Sequence, residues 1–283
     1  GPWEPVPDDT FDGRPYWRQR LSGPDAGPQA FVVLVGERWV ASMTTKAWTE
    51  IGLGNEIRDD LPGALKILVP YRALGRIFNS DWHVCAVLHE SFHAYQGMVA
   101  PDRLAEAERS MSAADRSSRD DEAFSNDWQM ELDLLADALL ATSEVQTAAQ
   151  TRRFLAQRQN RRAASGLSPD LVDFERQREW EEGLAKYIEL AAWRLAATTP
   201  DYRPVTALDA DPDFKHFKAF DKRWSQEVAH LRRQARAGDN RFYYSGMAQA
   251  FLLDRLRPDW KANALSDVVF LEDLLRQSLP PAD

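Results

Sequence analysis

The helical spacing of apolar residues from Trp82 almost to the end of the chain constrains the fold more than any other feature. Trp128, Leu132, Leu135 and Leu139, for example, are three or four residues apart, so a helix would place them on one face. A chain dominated by this pattern buries its apolar faces by packing helices against one another. The predicted helices cover Trp82–Gly97, Asn126–Ser143, Pro169 to about Ala197, Phe214–Ala235, Tyr243–Leu256 and Ser266–Gln277.

The N-terminal third of the chain contains β-prone runs instead of the helical pattern. Phe31 to Val35 and Arg38 to Ser42 are such runs, and Gly36-Glu37 separates them, which predicts a hairpin. Trp3 to Gln29 is rich in proline, glycine and aspartate and is predicted to be irregular. The fold class is therefore predicted as α+β, mostly α, with a small N-terminal β-sheet packed on a helical body.

The chain shows no strong linker, so its 283 residues are predicted to form a single domain. Within it, 1–75 is the N-terminal segment with the β-hairpin, and 76–283 is the helical part. Asp102 to Asn126 is polar and is predicted to be an exposed loop or short helix. Arg152 to Arg162 contains five arginines and is predicted to be a solvated helix face, with a groove for acidic substrates as the alternative.

Composition narrows the classes of function. A formal net charge of -9 argues against a nucleic-acid binder, because such proteins present clustered basic surfaces. The single cysteine, Cys85, excludes an internal disulfide and a cysteine-rich zinc module. No apolar run approaches the length of a membrane span. Gly1-Pro2 is typical of the residues left when a protease removes a tag or leader, so a secreted or periplasmic protein and a cytosolic one both fit.

The stretch LHESFHAYQG contains the spacing H-E-x-x-H at His89, Glu90 and His93. Residues four apart lie on one helix face, so the two imidazoles would point at one spot, as two corners of a tetrahedral Zn²⁺ site require. Glu90 would lie about 100° further round, from where it can reach a water rather than the metal. The alternative is two histidines packed without a metal, but this helix is predicted to be buried, and unpaired polar groups are costly to bury. Cys85, one turn earlier, is a conceivable fourth ligand, although a small buried apolar residue is the favoured interpretation.

A later stretch, EWEEGLAKYIEL, extends this pattern. Together with HESFH it resembles the gluzincin zinc metallopeptidases (HExxH…E), especially the zinc-aminopeptidase-like branch of the peptidase MA group, in which a helix with a W-x-x-E-G-[FL]-A-x-Y-like pattern follows the H-E-x-x-H helix. The resemblance implies that Glu182, the glutamate before Gly183, is the third zinc ligand. The stretch FYYSG is similar to the family's Y-x-x-G element and implies that Tyr243 stabilises the oxyanion of the reaction, with Tyr244 as the neighbouring alternative.

The resemblance is confined to patches, from Trp82 to Gln96 and from Trp180 to Leu256. His93 and Glu182 are much further apart in this sequence than in the aminopeptidases, which implies inserted helices. The family's G-x-M-E-N element, which binds the α-amine of the substrate, is absent from the sequence. The resemblance therefore implies a zinc site without implying aminopeptidase activity.

Periodicity leaves two interpretations of Glu182. It lies on the charged face of its helix, opposite the apolar stripe that runs from Leu184 to Leu195. Such a face is either solvated or placed between the core and an active site. In the second case Glu189, two turns on, can hold a ligand histidine in place. Glu131 and Asp133, on another predicted helix, are the rival third ligands.

The motifs and the resemblance together predict a zinc-dependent hydrolase of gluzincin type, first of all a peptidase with a peptide or protein substrate. The predicted Zn²⁺ ligands are His89, His93 and Glu182, and the predicted catalytic residues are Glu90 as general base and Tyr243. One alternative is a zinc hydrolase or lyase that acts on a small molecule or a modified peptide. The other is a non-catalytic, zinc-stabilised binding module.

Overall fold

The computed structural model of the protein describes residues 3–11, 14–19, 30–62, 79–113, 122–236, 238–266 and 269–280. Contacts divide the chain into two compact units, one formed by Gly1–Phe31 and Ser42–Ile77 and the other by Val32–Ala41 and Phe78–Asp283. The single domain spanning 1–283 stays a prediction. Helices account for most of the described residues and the strands form two-stranded sheets, which confirms the α+β, mostly α, fold class.

The first unit contains an antiparallel hairpin and one helix. Strand β1 (Trp3–Phe11) pairs with β2 (Arg14–Gln19), and helix α1 spans Lys46–Asp60. The prediction of irregular structure for Trp3 to Gln29 is therefore wrong for these two strands. Prolines in both strands obscure the pattern, but each strand of a two-stranded sheet is an edge, where the missing N–H of proline can face outward.

Strands β3 (Phe31–Val35) and β4 (Arg38–Ser42) pair as predicted, with the bounds that the sequence indicates. Gly36, in the two-residue turn between them, has a φ of 63°, a left-handed conformation that suits such a turn. Trp39 of β4 packs against Gly97 of the H-E-x-x-H helix, where an added Cβ would lie 2.3 Å from the indole ring. A larger residue at this position would have to displace the tryptophan.

The second unit is helical from residue 80 onward. Its longer helices are α2 (Ser80–Val99), α3 (Pro101–Ser110), α4 (Glu122–Leu140), α5 (Glu144–Ala164), α6 (Pro169–Arg178), α7 (Leu184–Thr198), α9 (Phe220–Leu231), α10 (Asn240–Leu256) and α12 (Leu271–Ser278). A π-helical turn (Glu179–Gly183), a 3₁₀ turn (Met111–Ala113) and the short helices α8 (Thr206–Asp209) and α11 (Trp260–Ala264) complete it. None of the described helices combines the length and the apolar character needed to cross a membrane.

Helix α10 lies at the centre of the second unit, where it contacts α4, α5, α6, α7, α9, α12 and the π turn. Every residue of this helix from Ser245 to Leu253 is buried. A helix buried on all sides must be enclosed by others, which accounts for its central place. The aromatic core around it includes Trp128, Phe174, Trp180 and Phe242.

The helix predicted over Phe214–Ala235 is shorter in the structure and begins at Phe220 as α9. The carboxylate of Asp81, in the first turn of α2, accepts the backbone N–H groups of Lys215 and Phe217 at 2.6 and 2.5 Å. These contacts hold the segment in a turn with left-handed residues, which a sequence pattern of apolar spacing does not reveal.

Helix α3 also corrects a prediction. It is a short helix, one of the two alternatives predicted for Asp102 to Asn126, but it is not fully exposed, because Arg103, Leu104 and Ala107 are buried. The guanidinium of Arg103 donates to the carbonyl oxygens of Ala264 and Val269 at 3.1 and 2.8 Å. Val269 precedes α12, and the helix predicted over Ser266–Gln277 begins only at its sixth residue, Leu271, as α12.

Candidate metal centre

Helix α2 presents its two motif histidines on a buried face. His89 and His93 lie one turn apart, each 8% exposed, and their ring centroids are 4.9 Å apart. The opposite face of α2 carries the exposed side chains of Val87, Tyr95 and Met98. The prediction that the whole helix is buried is therefore wrong, because apolar residues on this helix do not all point to the core.

Glu182 reaches the two histidines from the π turn. Its Oε2 lies 3.1 Å from His89 Nε2 and 3.4 Å from His93 Nε2. Among the described residues, these three form the group of buried histidine and carboxylate side chains whose ligand atoms converge, all within 4.8 Å of one another. The structure thus brings together the three residues that the sequence analysis selects as metal ligands.

The rival ligands have other partners. Glu131 binds the buried Arg158, and Asp133 accepts a hydrogen bond from Arg232 at 3.0 Å. The thiol of Cys85 donates to a backbone carbonyl of α7 at 3.5 Å, and burial raises its pKa to about 12. Cys85 therefore remains a buried thiol in the interface of α2 and α7, as the favoured interpretation has it.

Two glycines bring the remaining site residues together. An added Cβ at Gly183 would lie 2.4 Å from the Cα of Gly246, and one at Gly246 would lie 2.3 Å from the carbonyl oxygen of Glu179. Only glycine allows the π turn and α10 to approach so closely. Glu182 and Tyr243 lie on these two crossing segments, so the close approach of the backbones places both at the centre.

Tyr243 is the tyrosine that lies at the site. Its ring is stacked on the ring of His89, with centroids 5.8 Å apart and planes 13° apart. Burial and the negative charge of Glu182 raise the pKa of its hydroxyl, so Tyr243 stays protonated at neutral pH. The hydroxyl of Tyr244, by contrast, lies 3.4 Å from Nδ1 of His230.

Each histidine has a hydrogen-bond partner at Nδ1. Nδ1 of His89 lies 2.8 Å from Oε1 of Glu189, the partner expected from the sequence, and Nδ1 of His93 lies 2.8 Å from Oε1 of Gln96. The amide of Gln96 can only be oriented this way, because its Nε2 donates to two backbone carbonyls of the π turn at 3.0 and 3.3 Å. Gln96 was not predicted, although its place one turn after His93 on the same face was a usable signal.

These partners determine which nitrogens remain for a metal. Oxygens of Glu189 and Gln96 are acceptors, so each neutral imidazole carries its hydrogen on Nδ1 and presents a lone pair at Nε2. Two such lone pairs and one oxygen of Glu182 then converge. These three electron-rich atoms repel one another unless a cation lies between them. Ligand atoms about 2.0–2.1 Å from a tetrahedral Zn²⁺ are roughly 3.3 Å apart, and the two distances from Glu182 fit that value. The donor set and the two distances from Glu182 therefore fit zinc, and the three ligand atoms lie within 4.8 Å of one another.

Protons are the alternative cation for this cluster. Burial alone would lower the pKa of His89, but hydrogen bonds to Glu182 and Glu189 outweigh it and raise the pKa to about 9. The pKa of His93 is raised for the same reason, through its hydrogen bond to Glu182. A metal must displace these protons in order to bind.

Arg178 orients the carboxylate of Glu182. Its Nη2 donates to Oε1 of Glu182 at 3.0 Å, and its Nη1 donates to Oε2 of Glu181 at 2.6 Å. One oxygen of Glu182 is thereby held on the arginine while the other faces the histidines. The sequence analysis assigns Arg178 no role.

Glu90 follows His89 on α2 and is half-buried. Burial raises the pKa of its carboxyl above the usual value, although the neighbouring histidines oppose the change. A carboxylate with a raised pKa beside a metal site is suited to accept a proton from water and to return it.

Two of the five arginines in the arginine-rich stretch of α5 point into the interior, where the sequence predicts a solvated face or a substrate groove. Arg158 and Arg161 are 1% and 0% exposed and bind carboxylates of four other segments. Glu179, the first residue of the π turn, accepts hydrogen bonds from both Nη atoms of Arg158 at 2.7 and 2.5 Å and from the Ser245 hydroxyl. The other partners of the two arginines are Glu131, Glu175 and Glu272. We call these two arginines and four glutamates the buried charge network.

Comparisons with known proteins assign no family to the chain. No protein-family profile, no curated protein and no solved structure matches it. The functional conclusion therefore rests on the residues of the site and on the motifs in which they occur.

Proposed function

We propose that the protein is a zinc-dependent hydrolase of the gluzincin type and that it cleaves peptide bonds. The observation that carries the proposal is the convergence of His89 Nε2, His93 Nε2 and Glu182 Oε2 while both Nδ1 atoms are engaged as donors. Three lone pairs directed at one point, with a half-buried glutamate and a protonated tyrosine beside them, are what metal-dependent hydrolysis requires.

A Zn²⁺ ion held by His89, His93 and Glu182 would act as a Lewis acid that polarises the scissile carbonyl and lowers the pKa of water to about 7. Glu90 takes a proton from the attacking water and delivers it to the leaving nitrogen. Tyr243 keeps its proton because its pKa is raised, so its hydroxyl can donate a hydrogen bond to the oxyanion. Arg178 and Glu189 hold ligand side chains in place.

Metal analysis of three variants tests the ligand set. We expect Glu182→Ala to lose stoichiometric zinc, because it removes one of three convergent donors, and Glu90→Ala to retain it. Glu181→Ala is the matched control, since Glu181 is a buried glutamate on the same turn whose carboxylate faces Arg178. Zinc retained by Glu182→Ala as tightly as by the unmodified protein would contradict the proposal.

Peptide cleavage by the zinc-loaded protein tests the reaction, with a mixed peptide library and mass spectrometry as the readout. We expect Glu90→Ala to lower the rate by about 10²–10⁴ while zinc is retained. Tyr243→Phe should lower kcat by about 10²–10³. Tyr244→Phe should leave kcat nearly unchanged, because the hydroxyl of Tyr244 lies near His230 and not at the site. Equal effects of the two tyrosine variants would remove the role assigned to Tyr243.

A zinc hydrolase for a small molecule is the second candidate, and the burial of the ligands favours it. His89, His93 and Glu182 are each no more than 9% exposed, and such low exposure suits a small substrate better than a polypeptide. Small amide and ester substrates turned over by a protein that leaves the peptide library intact would select this candidate. Loss of the same turnover in Glu90→Ala would keep the reaction at the proposed site.

A further inference from the structure

Gln96 connects two ligands of the proposed metal centre. It is 0% exposed and lies on α2, one turn after His93. Its Oε1 accepts the Nδ1 hydrogen of His93 at 2.8 Å, while its Nε2 donates to the carbonyl oxygens of Trp180 and Glu181 at 3.0 and 3.3 Å. One side chain therefore contacts the ring of one ligand and the backbone immediately before the other, Glu182.

The two carbonyls that Gln96 contacts belong to the π turn. In an α-helix the carbonyl oxygens are engaged by N–H groups four residues on, but in a π turn the bonding pattern shifts to five residues and is less regular. Gln96 supplies donors at this irregular point, and its amide is the one side-chain group that offers an acceptor to His93 and donors to carbonyls at once.

We infer that Gln96 is a positioning residue that couples His93 to the turn carrying Glu182, so that the two ligands are placed together. The inference rests on the proposed function, because it concerns how the zinc ligands are held. His89 provides the contrast: its Nδ1 partner, Glu189, is held by Lys186 at 2.7 Å on the same helix. The carboxylate of Glu189 orients only the ring of His89, whereas the neutral amide of Gln96 binds both the ring of His93 and the backbone of the π turn.

Two substitutions separate the two halves of this coupling. Gln96→Glu keeps an oxygen acceptor for His93 but turns a negative oxygen toward the carbonyls of Trp180 and Glu181. Gln96→Met keeps the size of the side chain and loses all three hydrogen bonds. Gln249→Met is the matched control, because Gln249 is also 0% exposed and its amide donates to the carbonyl of Ser245 at 3.4 Å.

The measurement is Co²⁺ binding by the full chain, with affinity from competition with a chromophoric chelator and ligand geometry from the visible absorption of the bound ion. We expect both Gln96 variants to bind Co²⁺ about 10–100-fold more weakly and to shift its absorption bands, and Gln249→Met to behave like the unmodified protein. A thermal melt with chelator present shows that each variant is folded, and if Gln96→Met does not fold, Gln96→Glu decides alone.

Three outcomes would overturn the inference. If Gln96→Glu binds Co²⁺ like the unmodified protein, the amide serves only the His93 ring and couples nothing. If Gln96→Met binds normally, or if Gln249→Met weakens binding as much, the contacts of Gln96 have no specific effect on the metal. A failure of the unmodified protein to bind Co²⁺ or Zn²⁺ is a different result, since it refutes the proposed function and the inference with it.

Discussion

Replacing Arg158 by methionine tests whether the buried charge network holds the π turn in place. The Arg158 guanidinium is 1% exposed and contacts the carboxylates of Glu131, Glu179 and Glu272. Two of these carboxylates keep another arginine after the substitution, whereas Glu179 keeps only the Ser245 hydroxyl among the described residues. Removing one partner of a buried ion pair costs about 3–5 kcal/mol, so we expect a loss of that size in the free energy of unfolding.

Urea denaturation with and without zinc is the assay, and Arg153→Met is the control. Arg153 lies on the same helix but is exposed, with one hydrogen bond to Gln150 at 3.0 Å, so its replacement should cost about 0.5 kcal/mol or less. Because Glu179 begins the π turn that carries Glu182, Arg158→Met should also weaken zinc binding, which Arg153→Met should not.

A double-mutant cycle identifies the carboxylate responsible. Glu179→Gln removes the charge that Arg158→Met leaves unpaired, so the double variant should be more stable than Arg158→Met alone. The coupling energy should lie between about 0.5 and 3 kcal/mol, the range for residues in direct contact. The reasoning is refuted if Arg158→Met costs no more than Arg153→Met, or if Glu179→Gln restores nothing in its background.

Three further predictions concern the glycine contact and two titrations. Gly183→Ala should lower the free energy of unfolding by about 1–3 kcal/mol and weaken zinc binding, because the added Cβ would meet the backbone of Gly246. Gly52→Ala is the control and should be neutral or stabilising, because nothing lies within 4 Å of an added Cβ there. Chemical denaturation measures both effects on stability. Burial alone would raise the pKa values of Glu175 and Glu272, but neighbouring arginines outweigh it and lower both to about 2. The stability that the two carboxylates contribute is therefore present above pH 4.5 and is lost as the pH falls toward 2. Denaturation midpoints that stay constant across this window would contradict it. The pKa of His89 is raised to about 9, so zinc binding at neutral pH should release at least one proton and should weaken as the pH falls. Calorimetry in buffers of different ionisation enthalpy measures the proton release. Binding heats that do not depend on the buffer would contradict this prediction.

The part of the site that lies on one helix could be predicted from spacing. His89 and His93 are four residues apart, and helical periodicity alone places them on a common face. Glu182 is 93 residues beyond His89, and no local pattern relates them, so its selection depended on the motif around it. Gln96 lies between these cases, since its position on the ligand face is local but its contacts with the π turn are not.

Charged side chains are where the sequence misleads most. A run of arginines looks solvated, yet Arg158 meets Glu272 across 114 residues of chain. Periodicity shows that a face is polar but does not show whether water or another polar face covers it. The same limit applies to Glu182, because a solvated face and a site-facing one have the same pattern.

The π turn unites these observations, because contacts from several helices hold it. A short π segment inside an α-helix has weaker internal hydrogen bonding and depends on its surroundings to persist. Its partners are Arg158 of α5 at Glu179, Gln96 of α2 at Trp180 and Glu181, Arg178 of α6 at Glu182 and Gly246 of α10 at Gly183. Three of these partners, Gln96, Arg158 and Arg178, belong to the long stretch of chain between His93 and Glu182. The helices between the two motifs therefore contribute directly to the position of Glu182, so the long separation of the motifs is part of how this site is built.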